Sequence, residues 1–133
     1  MTYEEDIAAY LETLKLGIVN ETIFVNNKPA TPDAIICVFG YAGRPPEWTN
    51  TLKVDHPGAQ VLVRGAKDAP GDARDLIETI FEALDGRTNT ILNPDTGVFY
   101  QSIEATQSGP SPMGKDENGR IEYVLNFYVT KTR

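Results

Sequence analysis

Residues 109–116, Gly-Pro-Ser-Pro-Met-Gly-Lys-Asp, contain the Gly-x4-Gly-Lys skeleton with which phosphate-binding loops cradle nucleotides. The other groups that this chemistry requires are missing. Lys115 is followed by Asp116, which supplies no hydroxyl for a magnesium ion and would repel a phosphate. Pro110 and Pro112 lack two of the backbone N–H groups that would donate to phosphate oxygens. The segment is therefore predicted not to bind nucleotides.

Two further patterns could indicate metal binding or nucleophilic catalysis. Residues 116–119, Asp-Glu-Asn-Gly, resemble the start of a calcium loop, but Phe127 stands where the bidentate glutamate belongs, so a tight turn is predicted. His56 is the only histidine, and without a Gly-x-Ser-x-Gly elbow it is predicted to be a surface loop residue. One histidine and one cysteine do not favour a zinc site. The sequence thus predicts no enzymatic activity, no cofactor and no metal.

The composition excludes several other classes of protein. The 133 residues include 12 Lys and Arg against 19 Asp and Glu, a net charge of −7, which opposes free-standing nucleic-acid binding because phosphate affinity needs excess cations. With 41% apolar residues, the chain is predicted to form a single globular domain over residues 1–133. It has neither a membrane-length apolar run nor a basic start typical of a secretory signal. Cys37 is predicted to be a small core residue in a reducing compartment.

Two helices are predicted from apolar periodicity and from residues that begin or end helices. The first spans residues 2–16, beginning at a capping box on Thr2 and ending at a left-handed stop on Gly17. The second spans residues 72–85 and is opened by Asp72. Each helix has one apolar side, so both are expected to pack against a sheet.

Six strands are predicted, and two long segments are predicted to lack regular structure. The strands are residues 22–26, 34–40, 59–66, 89–92, 98–107 and 120–131. Residues 41–58 are expected to form a loop or arm, because consecutive prolines cannot donate ladder hydrogen bonds. Residues 108–119 form the second predicted loop. The result is an α+β fold of order α-β-β-β-α-β-β-β, with two helices packed on one face of a mainly antiparallel sheet.

Both predicted loops carry side chains of the kinds found at protein interfaces. Aromatic residues and arginine are enriched at such surfaces, and long loops are commonly functional. The candidate oligomer or docking contacts are Tyr41, Arg44, Pro45, Pro46, Trp48, Met113, Lys115 and Asp116. A first loop that folds back over its own core is the alternative interpretation.

Four short motifs follow one another along the chain. They are Tyr-Ala-Gly-Arg-Pro-Pro at residues 41–46, Leu-Asp-Gly at 84–86, Ile-Glu-Ala-Thr-Gln at 103–107 and Asp-Glu-Asn-Gly-Arg at 116–120. In this succession, between an N-terminal helix and a last alternating strand, the chain resembles the minor capsid, or tail terminator, family of long-tailed bacteriophages. Ala42 stands where the family pattern has a second glycine.

The resemblance implies a structural role rather than a catalytic one. Proteins of this family close into a ring, commonly a hexamer, at the head-proximal end of the tail tube, where they end tube polymerisation and present the surface that joins the head. The implied partners are further copies of the chain, the tail tube protein and a head completion or connector protein, while DNA passes through without specific binding. The implied location is the virion tail, assembled in the host cytoplasm without a membrane. The alternative is a small α+β module that binds a partner or ligand and has no role in a virion.

The acidic excess lies in the two predicted helices. Residues 1–16 hold four acids and one base, and residues 72–85 hold five acids and one base, so these segments account for the whole net charge. Four acids of the second helix lie opposite its apolar side: Asp75, Glu78, Glu82 and Asp85. This acidic stripe is interpreted either as a solvated face or as a surface that meets a basic partner or lines a lumen.

Overall fold

The computed structural model describes residues 2–133, which form two helices and a seven-stranded, mainly antiparallel sheet. The elements are α1 (Tyr3–Thr13), β1 (Ile23–Val25), β2 (Ile35–Trp48), β3 (Lys53–Arg64), α2 (Pro70–Leu84), β4 (Arg87–Ile91), β5 (Phe99–Ala105), β6 (Ser111–Lys115) and β7 (Ile121–Thr132). The predicted α+β class is confirmed. The order contains one strand more than predicted, because β6 forms within the segment expected to be the second loop.

The strands lie in the order β1-β2-β3-β7-β5-β4, and only β1 and β2 are parallel. One edge of β7 pairs with β3, and β5 and β6 share its other edge. Along that shared edge, Ala105 pairs with Phe127 and Ser111 pairs with Val124. The chain from β5 to β6 is therefore one interrupted strand whose break falls between these two pairs.

Both helices pack on the same face of the sheet, as predicted. The core on that face includes Ile7 and Leu11 from α1, Ile77, Ile80 and Leu84 from α2, and Ile36, Val38, Val61, Val63, Leu125, Phe127 and Val129 from the strands. A smaller buried cluster on the other face comprises Ile35, Cys37, Leu62 and Val124. The prediction that Cys37 is a core residue is confirmed, and burial raises the pKa of its thiol to about 11.

A buried carboxylate connects the N-terminal helix to β5 and to the turn that precedes it. Asp6 is 1% exposed, and Tyr100 on β5 donates its hydroxyl to Oδ2 at 2.5 Å. The hydroxyl of Thr96 and the amide of Asn93 donate to Oδ1 at 2.9 and 3.4 Å. A buried charge is tolerated only when such donors replace water. These bonds therefore fix α1 to the turn before β5.

The helix boundaries differ from the predicted ones for local reasons. Thr2 accepts from the backbone of Glu5 at 3.3 Å, which confirms the predicted cap, but α1 ends at Thr13, and the left-handed residue is Lys15 with φ 62°. The predicted stop at Gly17 is wrong. A Cβ there would lie 2.7 Å from Thr22 Oγ1, so this glycine instead permits close approach to the segment leading into β1.

The second helix begins earlier than predicted, at Pro70, with Ala69 in the N-cap position. The prediction that Asp72 opens this helix is wrong, because a proline at the first helical position needs no hydrogen-bond partner for its missing N–H. Asp72 instead lies in the first turn, where its negative charge is favourable beside the exposed backbone N–H groups.

The prediction of a loop over residues 41–58 is wrong, because β2 and β3 run through this segment as a long hairpin. Its register shifts twice, between Tyr41 and Arg44 and between Arg44 and Glu47. Pro45 and Pro46 fall in the second irregularity, where no ladder pairing is required of them. The prolines that argued against a strand are thus accommodated at a break in its pairing.

The prediction of a loop over residues 108–119 is wrong in its middle part. Ser111–Lys115 forms β6, which pairs with the first half of β7 across a turn at residues 116–119. The predicted tight turn is confirmed, with Gly119 at φ 76°. Lys115, the lysine of the phosphate-loop skeleton, therefore lies in a strand that is followed by a turn.

Candidate functional site

The tip of the β2–β3 hairpin presents the most exposed aromatic side chain of the candidate set. Trp48 is 68% exposed, and the Lys53 ammonium lies 5.0 Å from the centroid of its ring. Leu52, in the turn between the two strands, is 46% exposed. Thr49 closes this turn by donating its backbone N–H to the Leu52 carbonyl at 2.8 Å. The turn thereby holds two large apolar side chains and one cation in solvent.

Closer to the core, the hairpin candidates contact their own sheet. The Arg44 guanidinium lies 4.5 Å from the centroid of the Tyr128 ring, and its Nη2 is 3.0 Å from Glu104 Oε1. Tyr41 lies against Gly58, where a Cβ would come within 2.1 Å of the tyrosine ring. Packing of this kind raises the pKa of the Tyr41 hydroxyl. Arg44 and Tyr41 therefore stabilise the hairpin as well as exposing part of their surface.

Gly43 explains how the hairpin tolerates its first irregularity. Its φ is +71°, and a Cβ there would lie 2.1 Å from the carbonyl oxygen of His56. Among the residues that the structure describes, Ala42 is not one of those with positive φ. Only the second position of this pair needs glycine, so the backbone accommodates Ala42 in place of the glycine of the family pattern.

His56 is a buried strand residue, so its prediction as a surface loop residue is wrong. It is 8% exposed, because β3 begins before it, at Lys53. Its Nδ1 lies 3.0 Å from Thr130 Oγ1, and its Nε2 lies 3.3 Å from Glu47 Oε1. The contact of Nδ1 with Thr130 thus links β3 to β7, while Nε2 lies near Glu47 on β2 without forming a hydrogen bond.

The second candidate segment divides into exposed and inward-facing residues. Met113 is 61% exposed, and Lys115 is also exposed. Asp116 turns inward: its carboxylate accepts from the backbone N–H groups of Asn118 and Arg120 at 3.0 and 2.9 Å and from Arg120 Nε at 2.8 Å. Hydrogen bonds from Arg120, first from its backbone N–H, hold the pKa of Asp116 below its usual range. As a docking contact, Asp116 has few acceptor sites left.

Two buried arginines, neither of them among the predicted site residues, hold the segment that leads into β2. Arg120 donates to the Ala30 carbonyl at 2.6 Å and to Asp33 Oδ1 at 3.1 Å. Arg64 donates to the carbonyls of Asp33 and Pro32 at 2.9 and 2.8 Å. The Asp-Glu-Asn-Gly-Arg motif therefore forms a turn, and its arginine holds the segment before β2 in place. An arginine closing an otherwise apolar strand was the available signal for Arg64.

Gln107, the last residue of the Ile-Glu-Ala-Thr-Gln motif, bridges the break between β5 and β6. Its Oε1 accepts from the backbone and side-chain amides of Asn126 at 3.2 and 3.1 Å. Its Nε2 donates to the Gly109 carbonyl at 2.8 Å and to Ser111 Oγ at 2.9 Å. The side chain thereby replaces ladder hydrogen bonds that the interruption removes.

All four acids of the stripe are exposed, but two of them have contacts within the protein. Arg74 Nε lies 2.7 Å from Glu78 Oε1, and Asp85 Oδ1 accepts from the Ala105 backbone at 2.8 Å. Glu78 and Glu82 also line a hollow of about 350 Å³ together with Ser108, Gly109 and Pro110. The structure thus brings the stripe together with the start of the second candidate segment, away from the hairpin tip.

Comparison with known proteins identifies a family. The model of the family described as bacteriophage tail terminator protein matches residues 10–133, which include all the strands from β1 to β7 and α2. No curated protein matches the chain. Within residues 2–133, no group of three or more His, Cys, Asp or Glu side chains is placed to hold a metal ion, and neither helix is long and apolar enough to span a membrane.

Proposed function

We propose that the chain, which belongs to the bacteriophage tail terminator family, forms a ring of six identical copies. The proposed ring caps the head-proximal end of the tail tube. Membership of this family gives it a structural role in tail morphogenesis and makes it a component of the virion tail. In the proposed role, the ring ends tube polymerisation and offers a docking surface to a head completion or connector protein. The family match favours this role over the alternative of a small binding module outside the virion.

The observation that carries the proposal is the exposed outer half of the β2–β3 hairpin. Residues 41–48 are all exposed, and the tip bears Trp48 and Leu52. Tryptophan is the residue type most characteristic of interface hot spots, and an apolar tip costs free energy while it remains in water. Contact with another protein would remove that cost. A partner that is always present during assembly is a further copy of the same chain.

Termination requires the two faces of such a ring to differ. One face must match the last ring of tube subunits, whereas the other must not accept another tube subunit. DNA must also pass through the opening without being held. A net charge of −7 per copy supports such passage, because a chain with more acids than bases has little affinity for phosphates. These requirements need no catalytic group.

The proposal is tested by adding the purified chain to polymerising tail tube protein of the same phage. We expect rings in negative-stain images of the chain alone, and shorter tubes with one closed end in the mixture. Trp48→Ala and Met113→Ala test the two candidate segments, and Thr51→Ala, an exposed residue of the same hairpin tip, is the control. Tubes of unchanged length with the wild-type chain would contradict the proposed function.

A further inference from the structure

The end of the molecule opposite the hairpin tip carries an apolar hollow. Two adjoining cavities of about 100 and 200 Å³ share Ala34 and Leu76. The remaining walls are mostly aliphatic, with Leu16, Ile35 and Ile36 among them, and they include the charged residues Arg64 and Asp72. Ala34, Ala66, Ala69 and Ala73 have small side chains, so this part of the walls leaves room for a larger one. Asp72 is exposed and adds a carboxylate, whereas the guanidinium of Arg64 is buried and donates to the carbonyls of Pro32 and Asp33.

The hollow and the tip lie at opposite ends of one long hairpin. Trp48 pairs with Lys53 at the tip, whereas Ile35 pairs with Arg64 beside the hollow. The 14 residues of β2 separate the two ends by on the order of 40 Å at the usual rise per strand residue. The tip therefore cannot reach the hollow of its own chain. It can reach the hollow of a second copy.

Charge complementarity points to the same occupant. The tip carries Lys53 beside Trp48, and the hollow carries Asp72. Within the described part of the chain, neither Lys53 nor Asp72 belongs to an ion pair, although both are exposed. A contact between two different surfaces of identical copies is head-to-tail, and such contacts close into a ring when the rotation per step allows it.

We infer that the hairpin tip of one copy inserts Trp48 and Leu52 into the apolar hollow of the next copy, with Lys53 facing Asp72. This inference rests on the proposed ring and names its subunit contact. A tryptophan that fills such a pocket is a hot spot, so Trp48→Ala is expected to weaken self-association roughly 30-fold or more. Lys53→Glu should also weaken it, and Asp72→Lys in the same chain should restore it. Lys53→Arg, which keeps the positive charge at the tip, is the charge control.

Trp48 is the only tryptophan, so its fluorescence reports directly on the tip. In the ring, emission is expected at shorter wavelength than in the dilute monomer, with reduced quenching by acrylamide. A tryptophan that stays equally accessible to acrylamide in monomer and ring would overturn the inference while leaving the ring itself intact.

Cysteine cross-linking tests the head-to-tail arrangement. Leu52→Cys places a thiol at the tip and Ala69→Cys places one at the hollow, while the native Cys37 is fully buried. Under oxidation, the double variant should give a ladder of covalent oligomers, and a mixture of the two single variants should stop at dimers. If the wild-type chain forms rings but the double variant gives no ladder, the contact between tip and hollow is refuted and the proposed ring is not. Failure of the wild-type chain both to form rings and to shorten tubes would refute the proposed function.

Discussion

Replacing Tyr100 by phenylalanine removes one hydroxyl from the buried Asp6 cluster and leaves the aromatic ring in place. In the native protein, that hydroxyl is the hydrogen-bond partner of Asp6 Oδ2, whereas Thr96 and Asn93 both donate to Oδ1. Loss of a hydrogen bond to a buried charged group costs about 1.5–3 kcal/mol. For 133 residues, an unfolding entropy of about 2.1 cal/mol/K per residue converts this to a decrease in Tm of about 5–10 °C.

The assay is reversible urea and thermal unfolding followed by circular dichroism. Tyr128→Phe is the matched control, because within residues 2–133 its hydroxyl forms no hydrogen bond, and we expect its free energy of unfolding to change by less than about 0.5 kcal/mol. Equal effects of the two substitutions would refute the argument that Tyr100 stabilises a buried carboxylate.

Alkaline pH gives an independent test of the same contact. Burial, and secondarily the bond to Asp6, raise the pKa of Tyr100. A raised pKa in the folded state means that the stabilisation is complete below the ordinary tyrosine pKa of about 10 and is lost as the pH rises above it. The wild-type chain should therefore lose stability above about pH 10 more steeply than Tyr100→Phe. Parallel stability curves for the two proteins would contradict this linkage.

Three further predictions concern the hairpin, the strand break and the acidic stripe. Gly43→Ala should lower the free energy of unfolding by about 1–2 kcal/mol for the left-handed backbone alone, and the added Cβ would also clash with the backbone of His56. Ala42→Gly should form rings normally. Equal unfolding midpoints for the two variants would contradict this prediction. Gln107→Ala should speed amide hydrogen exchange in β6 while leaving α2 protected, and unchanged exchange would show that the bridge is dispensable. Charge reversal of Glu78 and Glu82 together should leave ring formation unchanged by light scattering, because the Arg74–Glu78 pair that it breaks is exposed and contributes little to stability; loss of rings would assign the stripe to a partner.

The parts of the fold that the sequence predicted are those where one periodic pattern extends over many residues. In α2, every third or fourth residue is buried, and in β7 the buried residues include the alternating series from Tyr123 to Val129. The predicted bounds of both elements differ from the observed ones by one or two residues. The outer half of the β2–β3 hairpin was missed because a local pattern cannot show that Pro45 and Pro46 fall at a register shift. Register depends on the partner strand, which lies elsewhere in the chain.

The predicted docking residues remain predictions, for a related reason. In the sequence, Asp116 and Trp48 look equally available for contact with a partner. In the structure, the carboxylate of Asp116 accepts hydrogen bonds within its own turn, whereas Trp48 is exposed to solvent. The burial of Asp6 and Arg120 could not be anticipated, because charged residues are usually exposed and the partners of these two include residues distant in sequence. For Arg64, the apolar strand that it closes was the one signal.

The motifs through which the chain resembles its family have structural tasks at irregularities of the sheet. Gly43 permits the first register shift of the hairpin, Gln107 bridges the break between β5 and β6, and Arg120 clamps the segment before β2. The proposed subunit contact lies outside those motifs, at Trp48 and Leu52. Because these motif residues stabilise the sheet and the tip residues do not, the tip can change without unfolding the sheet. We therefore expect substitutions at the tip to alter partner choice while unfolding midpoints stay constant, and substitutions in the motifs to do the reverse.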